Sequence, residues 1–136
     1  MKKSLISIFV FFICISAQSQ YNKSVILKPI LKTDTTSIGQ RIAYPQFAND
    51  EVSIVKVTIP PGKSTGWHKH TFPVFAYVLN GMLTVEIENK KTLQFARGSS
   101  FSEVINTLHN GENNGKEDVV LIVFFMGEKG KPLSVH

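Results

Sequence analysis

Cysteine is almost absent from this chain of 136 residues, in which Cys14 is the only one. A single thiol cannot close an intramolecular disulfide, so disulfides do not hold this fold together and a cysteine-rich zinc site is excluded. Charged residues are also scarce, at 18% against 43% hydrophobic residues. That balance is too apolar for a disordered chain and typical of a packed one, and the length fits a single domain.

Long hydrophobic runs are limited to residues 5–15, about half of the 20 or so residues that cross a bilayer. Basic residues precede the run, and the small and polar residues 16–20 follow it, as in a secretory signal peptide. We therefore predict a signal peptide over residues 1–19, an exported chain that is periplasmic or secreted, and no retained membrane span. The alternative is a buried N-terminal strand or helix.

The positive charge of the chain is modest and scattered. Its net charge is +5, and removal of Lys2 and Lys3 with the signal peptide leaves 13 Lys+Arg against 10 Asp+Glu. The remaining basic residues stand singly or in pairs, with no basic helix and no interleaved aromatic residues. This pattern is typical of a solvated surface, and we expect no nucleic-acid partner.

Short β-branched and aromatic runs recur between turn residues, and no helical periodicity of useful length occurs, which predicts an all-β fold. The predicted strands are residues 25–31, 52–59, 74–79, 82–88, 92–95, 101–105 and 119–126. Residues 74–79 and 119–125 are apolar on both faces, as in the central strands of a sandwich or barrel. Asn80 and Gly81 predict a two-residue hairpin turn of type I′.

His68 and His70 are the first candidate site residues. Residues i and i+2 of an extended segment project from the same face, so the two imidazoles can converge on one point. Imidazole is a common ligand of zinc, copper, iron and nickel, and such a pair needs only one or two further ligands. Histidine pairs without a metal also occur on protein surfaces, so the pair alone does not decide the site.

The surrounding residues resemble the two motifs of the cupin family. Residues 62–81 carry a glycine, then H-x-H after five residues, and a closing glycine; residues 98–113 carry a glycine, His109 and, four residues later, Asn113. The resemblance implies a small cupin-type jelly-roll barrel, also called a double-stranded β-helix, with metal ligands at His68, His70 and His109. It divides the chain into the signal peptide at 1–19, N-terminal strands and a loop at 20–50, the cupin domain at 51–128 and a C-terminal tail at 129–136.

The chain departs from the family pattern at the fourth ligand. Val74 stands where the family has a glutamate, and Val104 and Asn106 replace the proline and glycine of the second motif. A cupin that has lost its metal is therefore one alternative. Glu103 alternates with Phe101 and so is predicted to point inward, where a carboxylate needs a metal, a cation or hydrogen bonds. We predict that Glu103 is the fourth ligand or accepts a hydrogen bond from a ligand histidine; the alternative is a surface carboxylate.

The resemblance implies a divalent metal ion (zinc, nickel, copper, iron or manganese) and a small-molecule ligand or substrate. A metal-dependent oxidoreductase or isomerase, similar to the dioxygenases, isomerases and decarboxylases of the family, is one hypothesis, with no catalytic residue identified beyond the ligands. A non-catalytic metal- or ligand-binding or sensing module is another, and a metal-free jelly roll that acts by dimerising is a third.

The apolar strands leave sheet edges that need to be covered, which predicts a homodimer. Residue 136, a histidine without a partner in sequence, is expected to be frayed.

Overall fold

The computed structural model describes residues 24–89 and 91–136, and within these ranges it contains strands and no helix. No helix in this part of the chain meets the length and apolarity that a membrane span requires. The predicted signal peptide, residues 1–19, lies outside the described residues. The all-β class predicted from the sequence is therefore confirmed for the part of the chain that carries both histidine motifs.

Seven strands form two antiparallel sheets that face each other as a jelly-roll barrel. The strands are β1 (Asp50–Ile59), β2 (Val74–Asn80), β3 (Met82–Ile87), β4 (Leu93–Ala96), β5 (Ser100–Ser102), β6 (His109–Glu112) and β7 (Val119–Glu128). One sheet has the order β1-β7-β2-β5 and the other the order β4-β3-β6. As predicted, β2 and β7 lie in the interior of their sheet, with neighbours on both sides.

The core lies between the inner faces of the two sheets. Along β7 every second side chain is fully buried and the intervening ones are half-buried, which is the period of two of a pleated strand. Leu83, Val85 and Ile87 of β3 are buried opposite them, as the alternation in the sequence predicted. Burial of each such aliphatic side chain contributes about 1.5–3 kcal/mol, so this layer is the main source of the stability that supports the site.

The predicted strand at residues 25–31 is not formed. These residues have no regular secondary structure, and their apolar side chains are exposed, up to 93% for Ile26. Pro29 lacks the N–H that a strand interior would donate, and no neighbouring strand of the described chain pairs with this segment. Further along the chain, Ser37 donates its N–H to the Ser102 carbonyl, so the loop that contains Ser37 lies against β5.

The predicted hairpin at Asn80 and Gly81 is also wrong, because β2 and β3 belong to different sheets. A type I′ turn needs positive φ at both central residues, and here only Gly81 has it, at 76°. A Cβ on Gly81 would lie 2.8 Å from the Asp118 carbonyl oxygen, and the Asn80 amide donates to the same oxygen at 2.9 Å. These two residues therefore carry the chain from one sheet to the other beside the start of β7.

Strand β6 was missed in the sequence. Asn110 and Gly111 have low strand propensity, yet both pair with β3, Asn110 opposite Glu86 and Gly111 opposite Val85. At these two residues pairing with a neighbouring strand overrides the propensity. The predicted strand at 101–105 is shorter than expected and ends at Ser102.

Asn113, the asparagine of the second motif, stabilises the turn between β6 and β7. Its side chain is 1% exposed and donates to the carbonyl oxygens of Ile59 and Glu117, both at 2.7 Å. Its own side-chain oxygen accepts the Gly115 N–H at 2.9 Å. One amide therefore joins the end of β1 to the segment that leads into β7.

Replacement of Asn113 by alanine is expected to lower the free energy of unfolding by about 1–3 kcal/mol, because it leaves buried carbonyl oxygens without a donor. Urea unfolding of the variant and of the wild type measures the difference. The matched control is Asn114→Ala, at an exposed position in the same turn, for which a change within about 0.5 kcal/mol is expected. Equal effects of the two substitutions would contradict the role of the Asn113 amide.

Candidate metal centre

The segment that carries His68 and His70 is clamped between two parts of the chain. His68 and His109 exchange both backbone hydrogen bonds, each 2.9 Å long, and the Asn106 N–H donates to the His70 carbonyl at 2.8 Å. Asn106 adopts a φ of 52°, a left-handed conformation that asparagine tolerates better than most residues. Asparagine therefore serves at this position where the family motif has glycine, and both histidines are fixed by backbone pairing.

Each of the three imidazoles has its Nδ1 atom next to a backbone carbonyl oxygen. The distances are 2.8 Å from His68 to Gly66, 2.8 Å from His70 to Leu133 and 3.0 Å from His109 to Thr107. A carbonyl oxygen can only accept, so Nδ1 carries the proton in each ring. In the neutral ring this leaves the lone pair on Nε2, which is the tautomer and orientation that a metal-binding histidine needs.

Glu103 completes the cluster from the end of β5. Its Oε2 lies 3.1 Å from Nε2 of His70 and 3.0 Å from Nε2 of His109, and the side chain is 14% exposed. The Glu103 N–H donates to the Val74 carbonyl at 2.9 Å, so Glu103, directly after β5, lies beside the first residue of β2. The inward orientation predicted from Phe101 is confirmed, and the alternative of a surface carboxylate is wrong.

The four side chains together present a donor set that fits a divalent metal ion. One ligand atom from each of His68, His70, Glu103 and His109 lies within 4.8 Å of all the others. Donor atoms bound at about 2.0–2.2 Å to one ion are about 3.0–3.5 Å apart, close to the two Nε2–Oε2 distances. Neutral imidazole nitrogens and a carboxylate oxygen are ligands of zinc, nickel, copper, iron and manganese alike.

The charges of these groups are coupled. Burial opposes ionisation of Glu103, but hydrogen bonds from His109 and His70 outweigh it and lower the pKa of Glu103 to about 2. Burial likewise acts to lower the pKa of His109, but its hydrogen bond to Glu103 prevails and raises that pKa. For His68, burial lowers the pKa. Glu103 is thus an anion at neutral pH, and His109, whose pKa it raises, shares a proton with it when no metal is bound.

A cavity of about 80 Å³ adjoins the four side chains. The apolar part of its wall comes mainly from β1, β3 and β7, through Val57, Leu83, Val85, Leu121, Val123 and Phe125. Among the residues that line it, only the four members of the cluster can ionise in the accessible pH range. Phe101 and Val74 are buried in the core and do not line this cavity.

The C-terminal tail is part of the site, which the sequence did not indicate. Lys69 and Val135 exchange both backbone hydrogen bonds, at 2.9 and 3.0 Å, and the Leu133 carbonyl orients His70. His136 is not frayed, because its Nδ1 lies 2.9 Å from the Trp67 carbonyl oxygen. Lys69 and His70 are contacted by backbone groups of the tail, so residue types in the tail carry no pattern by which to find these contacts.

The family model described as the cupin domain matches residues 55–125, a range that includes all four side chains of the cluster and more than half of the chain. This chain belongs to the cupin family. No curated protein matches it.

Solved structures resemble this cupin over part of its length. A cupin domain from Bordetella pertussis Tohama I is 27% identical, with a TM-score of 0.51 over 60% of this chain and 88% of that chain. A cupin-like protein from Thermotoga maritima MSB8 is 22% identical, with a TM-score of 0.51 over 54% of this chain and 55% of that one. A DMSP lyase from Ruegeria pomeroyi is 15% identical, with a TM-score of 0.54 over 62% of this chain and 42% of that one. This cupin thus spans about half the length of the last two proteins, and its likeness to them shows the fold alone.

Deletion of residues 133–136 from this cupin is expected to weaken zinc binding by about 10–100-fold, because His70 loses the carbonyl that fixes its ring. Competition with a chromophoric chelator measures the affinity. Leu133→Ala is the matched control, since it keeps the carbonyl and removes only the side chain, and deletion of His136 alone is a second. An equal loss in Leu133→Ala would show that side-chain packing, not the carbonyl, is what matters.

Proposed function

We propose that this cupin is a metal-dependent enzyme that acts on a small molecule, with a divalent metal ion held by His68, His70, His109 and Glu103. The observation that supports the proposal best is the convergence of three imidazoles, each fixed by a carbonyl acceptor at Nδ1, on one largely buried carboxylate. When bound, the ion would supply Lewis acidity or, for iron, copper or manganese, a redox centre. Loss of the family glutamate at Val74 is offset in this proposal by Glu103, which follows β5 and donates its N–H to the Val74 carbonyl.

The residues of the chain have separate roles in this proposal. The histidines hold the ion, and the aliphatic walls of the cavity exclude water from it. Glu103 is the only carboxylate that lines the cavity, and as a ligand it would offset one of the two charges of the ion. Dioxygenase-, isomerase- and decarboxylase-type reactions are the candidates, because each needs a metal and few further acid or base groups.

A specific observation also favours a second candidate, a non-catalytic module that binds or senses a metal or a small ligand. The cavity is lined by no ionisable residue beyond the cluster itself, whereas an enzyme that relies on general acid–base chemistry places a further group within reach of the substrate. In this alternative the same four side chains bind metal, and the metal-loaded protein binds its ligand without turnover.

Metal binding tests both candidates. The wild type is expected to bind one zinc, nickel, copper, iron or manganese ion per chain. Loss of a residue that only orients a ligand lowers metal affinity by about 10–100-fold. His109→Ala removes a ligand itself, so we expect a larger loss of affinity. Glu103→Gln keeps the shape but removes the charge, and we expect a loss of about tenfold or more. His136→Ala is the control histidine outside the cluster. A chain that stays empty with all five metals would disprove both candidates.

Turnover then distinguishes the two candidates. The metal-loaded wild type is incubated with a panel of small carboxylates, hydroxy acids and keto compounds, with and without dioxygen, and products are followed by NMR. Consumption of one compound, lost in Glu103→Gln under conditions in which that variant still holds its metal, supports the enzyme. Saturable binding of a compound without any product supports the binding module.

We also propose that the chain is exported, by the signal peptide over residues 1–19. The basic start, the apolar residues 5–15 and the small residues before Gln20 support this localisation. Expression of the full chain in a bacterial host with intact secretion, followed by mass spectrometry of the periplasmic and culture fractions, tests it. A chain that keeps residue 1 and stays in the cytoplasm would disprove export.

A homodimer is proposed from the outer face of the four-stranded sheet. Strand β1 is at the edge of that sheet, and its Val52 and Ile54 are 59% and 63% exposed, next to half-buried Met126 and Phe124 of β7. A second copy of the chain would cover this apolar face. Light scattering after size-exclusion chromatography is expected to give a dimer that Ile54→Lys disrupts, with Lys56→Ala as control. A wild-type monomer would contradict the proposal.

A further inference from the structure

The cavity beside the metal cluster limits the size of what it can bind. A water molecule takes up about 30 Å³ in the liquid, and drug-sized ligands occupy cavities of about 300–1,000 Å³. The cavity measures about 80 Å³, several-fold less than those sites, and therefore favours a ligand of a few non-hydrogen atoms. A longer ligand would have to extend out of the cavity.

The charge of the site limits the ligand further. If His68, His70 and His109 are neutral ligands, a divalent ion and the Glu103 carboxylate leave one net positive charge. No lysine or arginine lines the cavity, and the hydroxyl of Thr65, the one side-chain hydroxyl in its lining, already donates to the Gly66 carbonyl at 3.2 Å. A second negative charge on the ligand would therefore be buried without a partner, which is unfavourable.

We infer that the site takes a short aliphatic monoanion, with its charged oxygen at the metal and its carbon chain against the wall formed by Val57, Leu121 and Val123. Monocarboxylates of two or three carbons belong to this class, and so do enolates of similar size. Dicarboxylates and longer chains are excluded, the first by charge and the second by volume. This inference rests on the proposed metal site and adds the class of substrate or ligand to it.

The test uses the full mature chain loaded with cobalt(II), whose absorption spectrum responds to a new ligand. Propionate, propionamide, pentanoate and succinate are titrated in turn. Propionate is expected to bind at least about tenfold more tightly than each of the other three compounds. Succinate adds a charge, pentanoate adds length, and propionamide lacks the charge. Equal affinity for succinate or pentanoate would overturn the inference.

Two variants on the same face of β1 control for wall volume. Val57 lines the cavity, whereas Val55 is half-buried against the core outside it. Val57→Ala is expected to bring pentanoate to within about threefold of propionate, with Val55→Ala unchanged from wild type. An equal response of the two variants would count against the proposed position of the carbon chain.

The outcomes separate this inference from the proposed function. A chain that binds no cobalt overturns both. A chain that binds one cobalt but does not distinguish the four compounds overturns only the assignment of a short monoanion and leaves the metal centre in place. Because the absorption spectrum reports binding directly, the result does not depend on turnover.

Discussion

The pairing of His68 with His109 through their backbones is the contact on which the rest of the site depends. Two hydrogen bonds of 2.9 Å bring together side chains that are 41 positions apart in the sequence, and they do so by joining the first histidine segment to β6. Strand β6 is itself held by β3, and β3 is part of the buried inner layer. The position of the metal ligands is therefore set by the same strand pairing that forms the barrel.

Glu103 shows how a site can be kept when one of its usual positions changes. The side chain of Val74 is fully buried in the core, where it contributes to packing, while the carboxylate comes from Glu103, directly after β5, whose N–H donates to the Val74 carbonyl. Adjacent antiparallel strands are about 5 Å apart, a distance that a glutamate side chain can span. A carboxylate from the end of β5 thus joins the three histidines, although the side chain of Val74 lies in the core.

The sequence was sufficient for the parts of the fold and site that follow from periodicity. Alternation predicted the buried side chains of β3, and the spacing of His68 and His70 and the alternation of Glu103 with Phe101 predicted three inward side chains. The turn at Gly81 was predicted wrongly, because a hairpin and a crossing between sheets place the same demand on a glycine. Strand β6 was missed because Asn110 and Gly111 have low strand propensity, and their pairing with β3 is a tertiary contact that no local pattern encodes.

Leu133 orients His70 with its backbone carbonyl and not with its side chain. Every residue type has such a carbonyl, so a related chain could carry almost any amino acid at this position and preserve the contact. Comparison of residue types would then show a variable position beside a metal ligand and assign it no role. The contribution of the Leu133 carbonyl can be isolated by changing one atom. In a semisynthetic chain with a thioamide at Leu133, sulfur replaces this carbonyl oxygen, which would weaken the acceptor and leave every side chain as it is.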